Sequence, residues 1–294
     1  MQSVKKLTKN LFLKCGYEIS PTQIKNDKNL YVKNFSEDSI KNKRFYNIGA
    51  GGFNHPFWTN IDYENDWYFQ HRKNNRKAIQ YDLHSLNPIP IDANSAEIFY
   101  TSHTIEHISD EAAQFVFDEV YRILKNGAVF RLTTPNIELV YNAFKKNDLD
   151  FFHYMYRNSA IPALLNGVEV IQDKRKASIE QLFLFIFASS LSTLHNFGNK
   201  KFTDKEIRKI FSEKDLKSAL NYFTSLCSLE IQGKFVGNHI NWWNKEKIFN
   251  MLKKAGFTKV FLSGYGQSFS PVLRNTHYFD NTHSEMSIYV EAIK

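Results

Sequence analysis

The chain has 294 residues, long for one compact domain and short for two ordinary ones, so one main domain with an insertion is expected. Hydrophobic residues make up 43% and aromatics 15%, which excludes a disordered chain. A net charge of +8 favours an anionic partner such as a phosphorylated substrate, nucleic acid or an acidic surface, although a lysine-rich surface gives the same excess without one.

Two cysteines, Cys15 and Cys227, make neither a metal cluster nor a disulfide framework, and they fit a reducing, cytoplasmic compartment. No signal peptide is expected, because the apolar run at 11–13 is too short and no small-residue cleavage site follows. The longest apolar run, Leu182–Leu194, falls below the roughly 20 residues that span a bilayer and predicts a buried helix.

In chain order, residues 1–40 read as a polar, basic N-terminal arm with one helix. Positions 1–44 hold ten Lys/Arg against four Asp/Glu. "RFYNIG" (44–49) predicts a short buried strand stopped by glycine. "TNID" (59–62) predicts a second strand ending in an acid, "AIQYDL" (78–83) a third, and "AEIFYTSH" (96–103) a fourth. Ser109 is a candidate N-cap, with Asp110 and Glu111 in the first turn. Phe115, Val116, Val120, Ile123 and Leu124 then recur at helical spacing, and the helix is expected to carry Lys125 in its last turn, with Gly127 just past its end. "AVFRLTTPN" (128–136) predicts a fifth strand.

This alternation predicts an α/β fold, a doubly wound, Rossmann-like, mostly parallel sheet. Residues 137–240 break the pattern and read as an inserted helical cap. Residues 244–257 predict a late amphipathic helix ending at Gly256. Residues 258–266 and 287–294 predict two final strands, an antiparallel pair closing the sheet. The core then comprises 41–136 and 241–294. No internal repeat is present.

Gly49 and Gly51 follow the first strand, and Asp62 falls eleven residues after the second of them. Glycines let the backbone turn sharply and approach a ligand closely. An acid ending the second strand can accept both hydroxyls of a ribose, and Asp82, ending the third, can accept from an adenine amino group. Such sheets bind ligands at the carboxyl ends of their strands, where Gly49, Asp62, Asp82 and His103 all fall. The pattern predicts a pocket for an adenosine. A dinucleotide site requires a third glycine and an acid about 20 residues on, and a P-loop requires GxxxxGK[ST]; the chain has neither.

His103–His107, "HTIEH", is the H-x-x-E-H pattern of inverted zinc proteases. That motif requires the middle of a helix. Here it follows a strand and precedes the N-cap Ser109, and no third ligand is evident, so no metal is expected.

"NIGAGG", "NID", "YDL", "PIPIDANSAEIFYTSHTIEHI" and "EVYRILKNGAVFRLTTPN" together resemble the class I S-adenosylmethionine-dependent methyltransferases. The resemblance is closest to the methyltransferase type 11 group and its relatives in bacterial surface-glycan gene clusters. It covers about 41–136 well and 241–294 loosely, but neither the arm nor the cap. It implies S-adenosyl-L-methionine as cofactor, held by Asn47, Gly49, Ala50, Gly51, Asp62, Tyr63, Asp82, Leu83, Ser102 and His103. It places His103 and His107 near the sulfonium, where either can orient or deprotonate an acceptor hydroxyl; the plainer alternative is that they hydrogen-bond the turn, with Glu106 a structural partner.

Two positions depart from the family. Asn47 stands where an acid usually helps hold the methionine amino group, and Phe53 occupies the third glycine position. The short gap to Asp62 implies a first helix that is shortened or absent.

The implied reaction is methyl transfer from the sulfonium to oxygen or nitrogen, with inversion at the methyl carbon. The expected acceptor is a small molecule, a sugar, nucleotide-sugar or glycan precursor, which suggests polysaccharide biosynthesis. Tyr141, His153, Tyr154, Tyr156, Arg157, His195, His239, Trp242 and Trp243 suit a sugar and equally suit helix packing. Segment 270–287, with Arg274, His277 and His283, reads as a substrate lip. Nucleic acid is the alternative acceptor, although no [DNS]-P-P-[YF] base-amine motif is present. A catalytically inactive binding protein is the alternative of another class. The sequence leaves the oligomeric state open.

Overall fold

Strand β1 (Phe45–Ile48) is buried along its whole length, and the sheet extends from it in both directions. In this computed structural model the described residues are 2–15, 27–63, 78–156, 176–194, 196 and 200–294. The other strands are β2 (Trp58–Asp62), β3 (Ile79–Gln80), β4 (Ala96–Ser102), β5 (Leu124–Pro135), β6 (Lys259–Leu262) and β7 (Ser287–Ile293). They lie in the order β3-β2-β1-β4-β5-β7-β6. Strands β1 to β5 pair in parallel, and β7 runs antiparallel between β5 and β6. The sheet is thus Rossmann-like and mostly parallel, with the antiparallel closure the sequence predicts.

The described helices are α1 (Gln2–Lys14), α2 (Lys28–Asn34), α3 (Glu37–Lys41), α4 (Asp110–Ile123), α5 (Ile137–Lys145), α6 (Leu149–Tyr156), α7 (Ile179–Phe187), α8 (Asp204–Glu213), α9 (Leu216–Ser225), α10 (Leu229–Lys234) and α11 (Lys245–Lys254). Side chains alternate across the strands with a period of two. Tyr46, Ile48, Phe99, Phe130 and Leu132 pack on one face beneath α4 and α11, against Val116, Phe117, Val120, Ile248 and Leu252. Phe45, Ile98, Tyr100 and Val129 pack on the other, with Tyr31 of α2 and with Val272, Leu273 and Phe279. Helices α5 to α9 share a second apolar cluster of their own, reached by Trp242 and Met286.

Three sequence expectations are corrected. Helix α4 starts as predicted, with Ser109 Oγ accepting from Ala112 N at 3.1 Å, but it ends at Ile123, before Lys125. Leu124 already pairs with Ala96, so Lys125 belongs to β5, where its ammonium meets Glu97. The third strand keeps only Ile79 and Gln80, which leaves Asp82 in the turn beyond it.

The basic arm is the third correction. Its residues from Asp27 onward pack into the fold: Tyr31 is fully buried, and its hydroxyl accepts from Trp58 Nε1 at 2.6 Å. Composition misses this because the burial of Tyr31 depends on partners distant in sequence, Phe45 and Trp58 among them.

Among the described residues, no helix is long and apolar enough to cross a membrane.

Arg131, on β5, is wholly buried between two strands and a loop. Its guanidinium is bidentate to Asp280 at 2.9 and 2.6 Å, and Nη1 meets Glu291 of β7 at 3.0 Å. It also donates to Ser263 Oγ and to the carbonyls of Gly264 and Gln267. Removing one partner of a buried ion group strands the others without solvent. Arg131→Met should therefore lower unfolding free energy by about 3–5 kcal/mol, read from denaturant midpoints; a loss within the error of the extrapolation contradicts this account.

Candidate functional site

The turn after β1 is built on two positive backbone angles, φ +64° at Gly49 and +51° at Gly51. They need glycine for different reasons. A Cβ at Gly49 would collide with the side chain of Thr104, whereas a Cβ at Gly51 would meet nothing within 4 Å. Gly49 therefore has both an angle and a wall against it, and Gly51 has only an angle. Gly49 N donates to Ile61 O at 2.9 Å, which ties the turn to β2. Asp62 Oδ2, at the end of β2, accepts from Gly51 N at 2.8 Å, and Oδ1 accepts from Tyr63 N at 2.7 Å. The acid eleven residues on thus closes the glycine turn and faces the same opening.

No helix lies between β1 and β2. Aromatic packing fills its place: Phe53 lies 5.7 Å from the rings of both Trp58 and Phe279. His55 Nδ1 accepts from Phe57 N at 3.2 Å, which leaves the Nε2 proton for Asp27 at 3.3 Å. The residue standing at the third glycine position is a packing residue of the sheet's second face.

One cavity of about 870 Å³ opens over the carboxyl ends of β1, β2 and β4. All the sequence-predicted site residues line it: Asn47, Gly49, Ala50, Gly51, Asp62, Tyr63, Asp82, Leu83, Ser102, His103 and His107. Asp82 is exposed and accepts from His84 N at 2.9 Å through Oδ1. The opposite wall comes from Leu229, Gln232 and Val236 around α10 and from His277, Tyr278, Asn281 and Thr282. His277 belongs to the expected lip; Arg274 and His283 are not wall residues. Sequence reasoning missed α10, a six-residue helix whose wall residues carry no motif.

The aromatic candidates of 137–243 divide. Tyr141 packs against Phe144 and Phe183 within the helical cluster. Trp242 and Trp243 are buried in the two large apolar clusters. His153 is half-buried on α6. Arg157 and His195, and the side chains of Tyr154 and Tyr156, lie outside the described residues.

Beyond β4 the chain makes a tight corner. His103 adopts φ +51°, a left-handed angle uncommon for histidine, with its N–H held by Thr133 O at 2.9 Å. Its Nε2 lies 2.7 Å from Ser287 Oγ, and its Nδ1 lies 3.0 Å from Glu106 Oε1. Glu106 is 1% exposed, and its Oε2 accepts from Thr134 Oγ1 at 3.0 Å. Burial alone would raise the Glu106 carboxyl; the imidazole of His103, with His107 and His239, overcomes this and holds it at about 2. His107 donates from Nδ1 to Asn238 O at 2.9 Å and packs edge-on against His239 at 4.7 Å between ring centroids. Burial, with the neighbouring His107, lowers His239 to about 3, so that ring is neutral. The H-x-x-E-H pattern therefore does not place His103 and His107 side by side: it separates them, and the ring beside His107 comes from His239.

Residues 53–132 match the family model described as a methyltransferase domain. No curated protein sequence matches the chain. Solved structures similar to it include an S-adenosylmethionine-dependent methyltransferase, possible histamine N-methyltransferase, from Thermotoga maritima, 11% identical, covering 85% of this chain and 82% of that one at a TM-score of 0.39. Another, from Archaeoglobus fulgidus, is 11% identical over 85% of each chain, with a TM-score of 0.36. A third, from Aquifex aeolicus, is 9% identical over 85% of this chain and 80% of that one, at 0.35. The matched segment runs from the glycine turn through β2, β3, β4 and α4 into β5, so this part of the sheet and the cavity above it is similar to a methyltransferase domain.

The two glycines should respond differently to a methyl group. Gly49→Ala should destabilise the fold by more than the roughly 1–2 kcal/mol of a left-handed angle alone, and Gly51→Ala by no more than that. Thermal unfolding of both variants checks this, and equal losses would remove the role given to Thr104.

Proposed function

We propose that the protein transfers the methyl group of S-adenosylmethionine to a hydroxyl oxygen of a small, sugar-containing acceptor. Asp62 receives the ribose hydroxyls, Asp82 the adenine amino group, and Asn47 with the Gly49–Gly51 turn the methionine end. His103 is the general base. The observation that carries this reading is that the glycine turn, both acids and His103 share one cavity.

The cavity supports a small acceptor by its size. About 870 Å³ lies near the upper end of small-molecule sites, roughly 300–1,000 Å³. That suits a cofactor and one sugar-sized partner better than a nucleic-acid duplex. Its far wall offers His277, Tyr278, Asn281 and Thr282, polar and aromatic groups of the kind that hold hydroxyl-rich ligands. Asn47 keeps a hydrogen-bond acceptor where an acid is usual.

S-adenosylmethionine brings the electrophilic methyl group when it is bound. The chain's residues position and deprotonate. Glu106 Oε1, 3.0 Å from Nδ1, orients the ring, and Nε2, which meets Ser287 Oγ at 2.7 Å, would exchange that hydroxyl for the acceptor's. The left-handed corner holds the ring at the strand end, and the walls from α10 and 277–282 hold the acceptor in line with the methyl carbon and exclude water.

Two measurements test the assignment. Asp62→Ala should abolish S-adenosylhomocysteine binding in calorimetry; retention of wild-type affinity removes Asp62 from the cofactor site. His103→Asn, which tolerates the left-handed angle, should lower kcat on a sugar acceptor with a free hydroxyl by about 10²–10⁴ while S-adenosylhomocysteine still binds. An unchanged kcat would leave His103 a turn residue.

A further inference from the structure

We infer that Glu106, His107 and His239 form a binding site for one divalent transition-metal ion of the zinc class at the cavity wall. Among the described residues, a candidate ligand atom from each lies within 4.8 Å of those from the other two. Two imidazoles and a carboxylate are a donor set of zinc and related borderline ions.

Three observations carry the site beyond mere proximity. Both rings are already oriented as metal-bound histidines are. His107 Nδ1 donates to Asn238 O at 2.9 Å, and His239 Nδ1 donates to Ile186 O at 2.6 Å. With Nδ1 engaged to a carbonyl, Nε2 is the atom each ring can offer to a metal. Next, Glu106 Oε1 is buried without an aligned hydrogen bond, although His103 Nδ1 is 3.0 Å away, while Oε2 is already held by Thr134. A buried carboxylate oxygen in that state is costly unless a cation or donor completes it.

Finally, the backbone binds the three ligands into one unit. Ile240 N and Asn241 N both donate to Glu106 O, at 2.9 and 3.1 Å, and Ser189 N donates to His239 O at 3.0 Å. The segment bearing His239 is thereby sewn to the corner bearing Glu106 and His107. Three protein ligands leave a metal position open, and His107 is itself a cavity-wall residue. An acceptor oxygen bound there would shed its proton more readily. That last role rests on the methyl-transfer reading; the metal site does not.

The test uses the chain stripped with chelator and then titrated with Zn²⁺ against a chromophoric competitor, and separately with Co²⁺ followed by visible absorption. The expected result is one ion per chain, with the strong Co²⁺ bands of a low-coordinate site. His239→Asn keeps a side-chain donor for Ile186 O and should weaken Zn²⁺ at least 10- to 100-fold while leaving S-adenosylhomocysteine binding intact. A stripped wild-type protein that takes up no ion at micromolar metal overturns the proposal, as does wild-type affinity in the variant. Should the variant not fold, histidine ring resonances of the wild type decide: Zn²⁺ must shift those of His107 and His239, and an unshifted pair overturns the proposal. Loss of S-adenosylhomocysteine binding in Asp62→Ala alone bears on the cofactor reading and leaves the metal result untouched.

Discussion

The buried guanidinium of Arg131 connects the two halves of the cavity. On one side it is a β5 residue, paired in register with Tyr100 of β4 and Glu291 of β7. On the other it grips Asp280, whose own backbone N–H donates to the Tyr100 hydroxyl at 2.7 Å. The residues flanking Asp280 form the far wall of the cavity. A charge with no access to water tolerates little displacement, because each lost bond leaves an ion uncompensated in a low dielectric. The wall that faces the glycine turn is thus positioned by electrostatics inside the sheet, although it belongs to a loop.

A second network does similar work at the opposite corner. Asp27 accepts from His55 of the β1–β2 loop and from Asn275 of the lip, at 3.3 and 3.2 Å. Tyr31 and Trp58 close the same group. A polar N-terminal segment, a loop without its usual helix and the lip therefore meet on one buried carboxylate. With no helix between β1 and β2, the loop takes its stiffness from Phe53, His55 and Phe57 packed against the sheet.

Much of this was legible in the sequence. The strand-and-acid rhythm located β1, β2 and β4, and every residue assigned to the cofactor end lies on the cavity wall. Those features are local: a glycine angle, an acid at a strand end, an N-cap. What the sequence hid is non-local. Tyr31 lies in a stretch whose composition is that of a solvated arm, and its burial depends on the partner Trp58. Lys125 looked like the last turn of a helix because the pairing of Leu124 with Ala96 cannot be seen from one segment. His239 carries no motif, and it meets Glu106 and His107 only because the backbone of 240–241 pairs with Glu106. Spacing singled out the histidine pair nearest in sequence, and folding chose another.

Strand β6 precedes β7 in the chain yet lies outside it, at the edge of the sheet. Until β7 is made, β6 has no neighbour to pair with, and β5 has only β4. Glu291, which completes the charge around Arg131, arrives with that same strand. During synthesis, then, an arginine destined for the interior waits on residues that follow it by more than half the chain. The nascent polypeptide holds β5 as an unfinished edge, the state in which strands mispair and aggregate. Completion of the sheet is in this sense a single event, in which β7 inserts between β5 and β6 and brings pairing and the Glu291 counter-charge together.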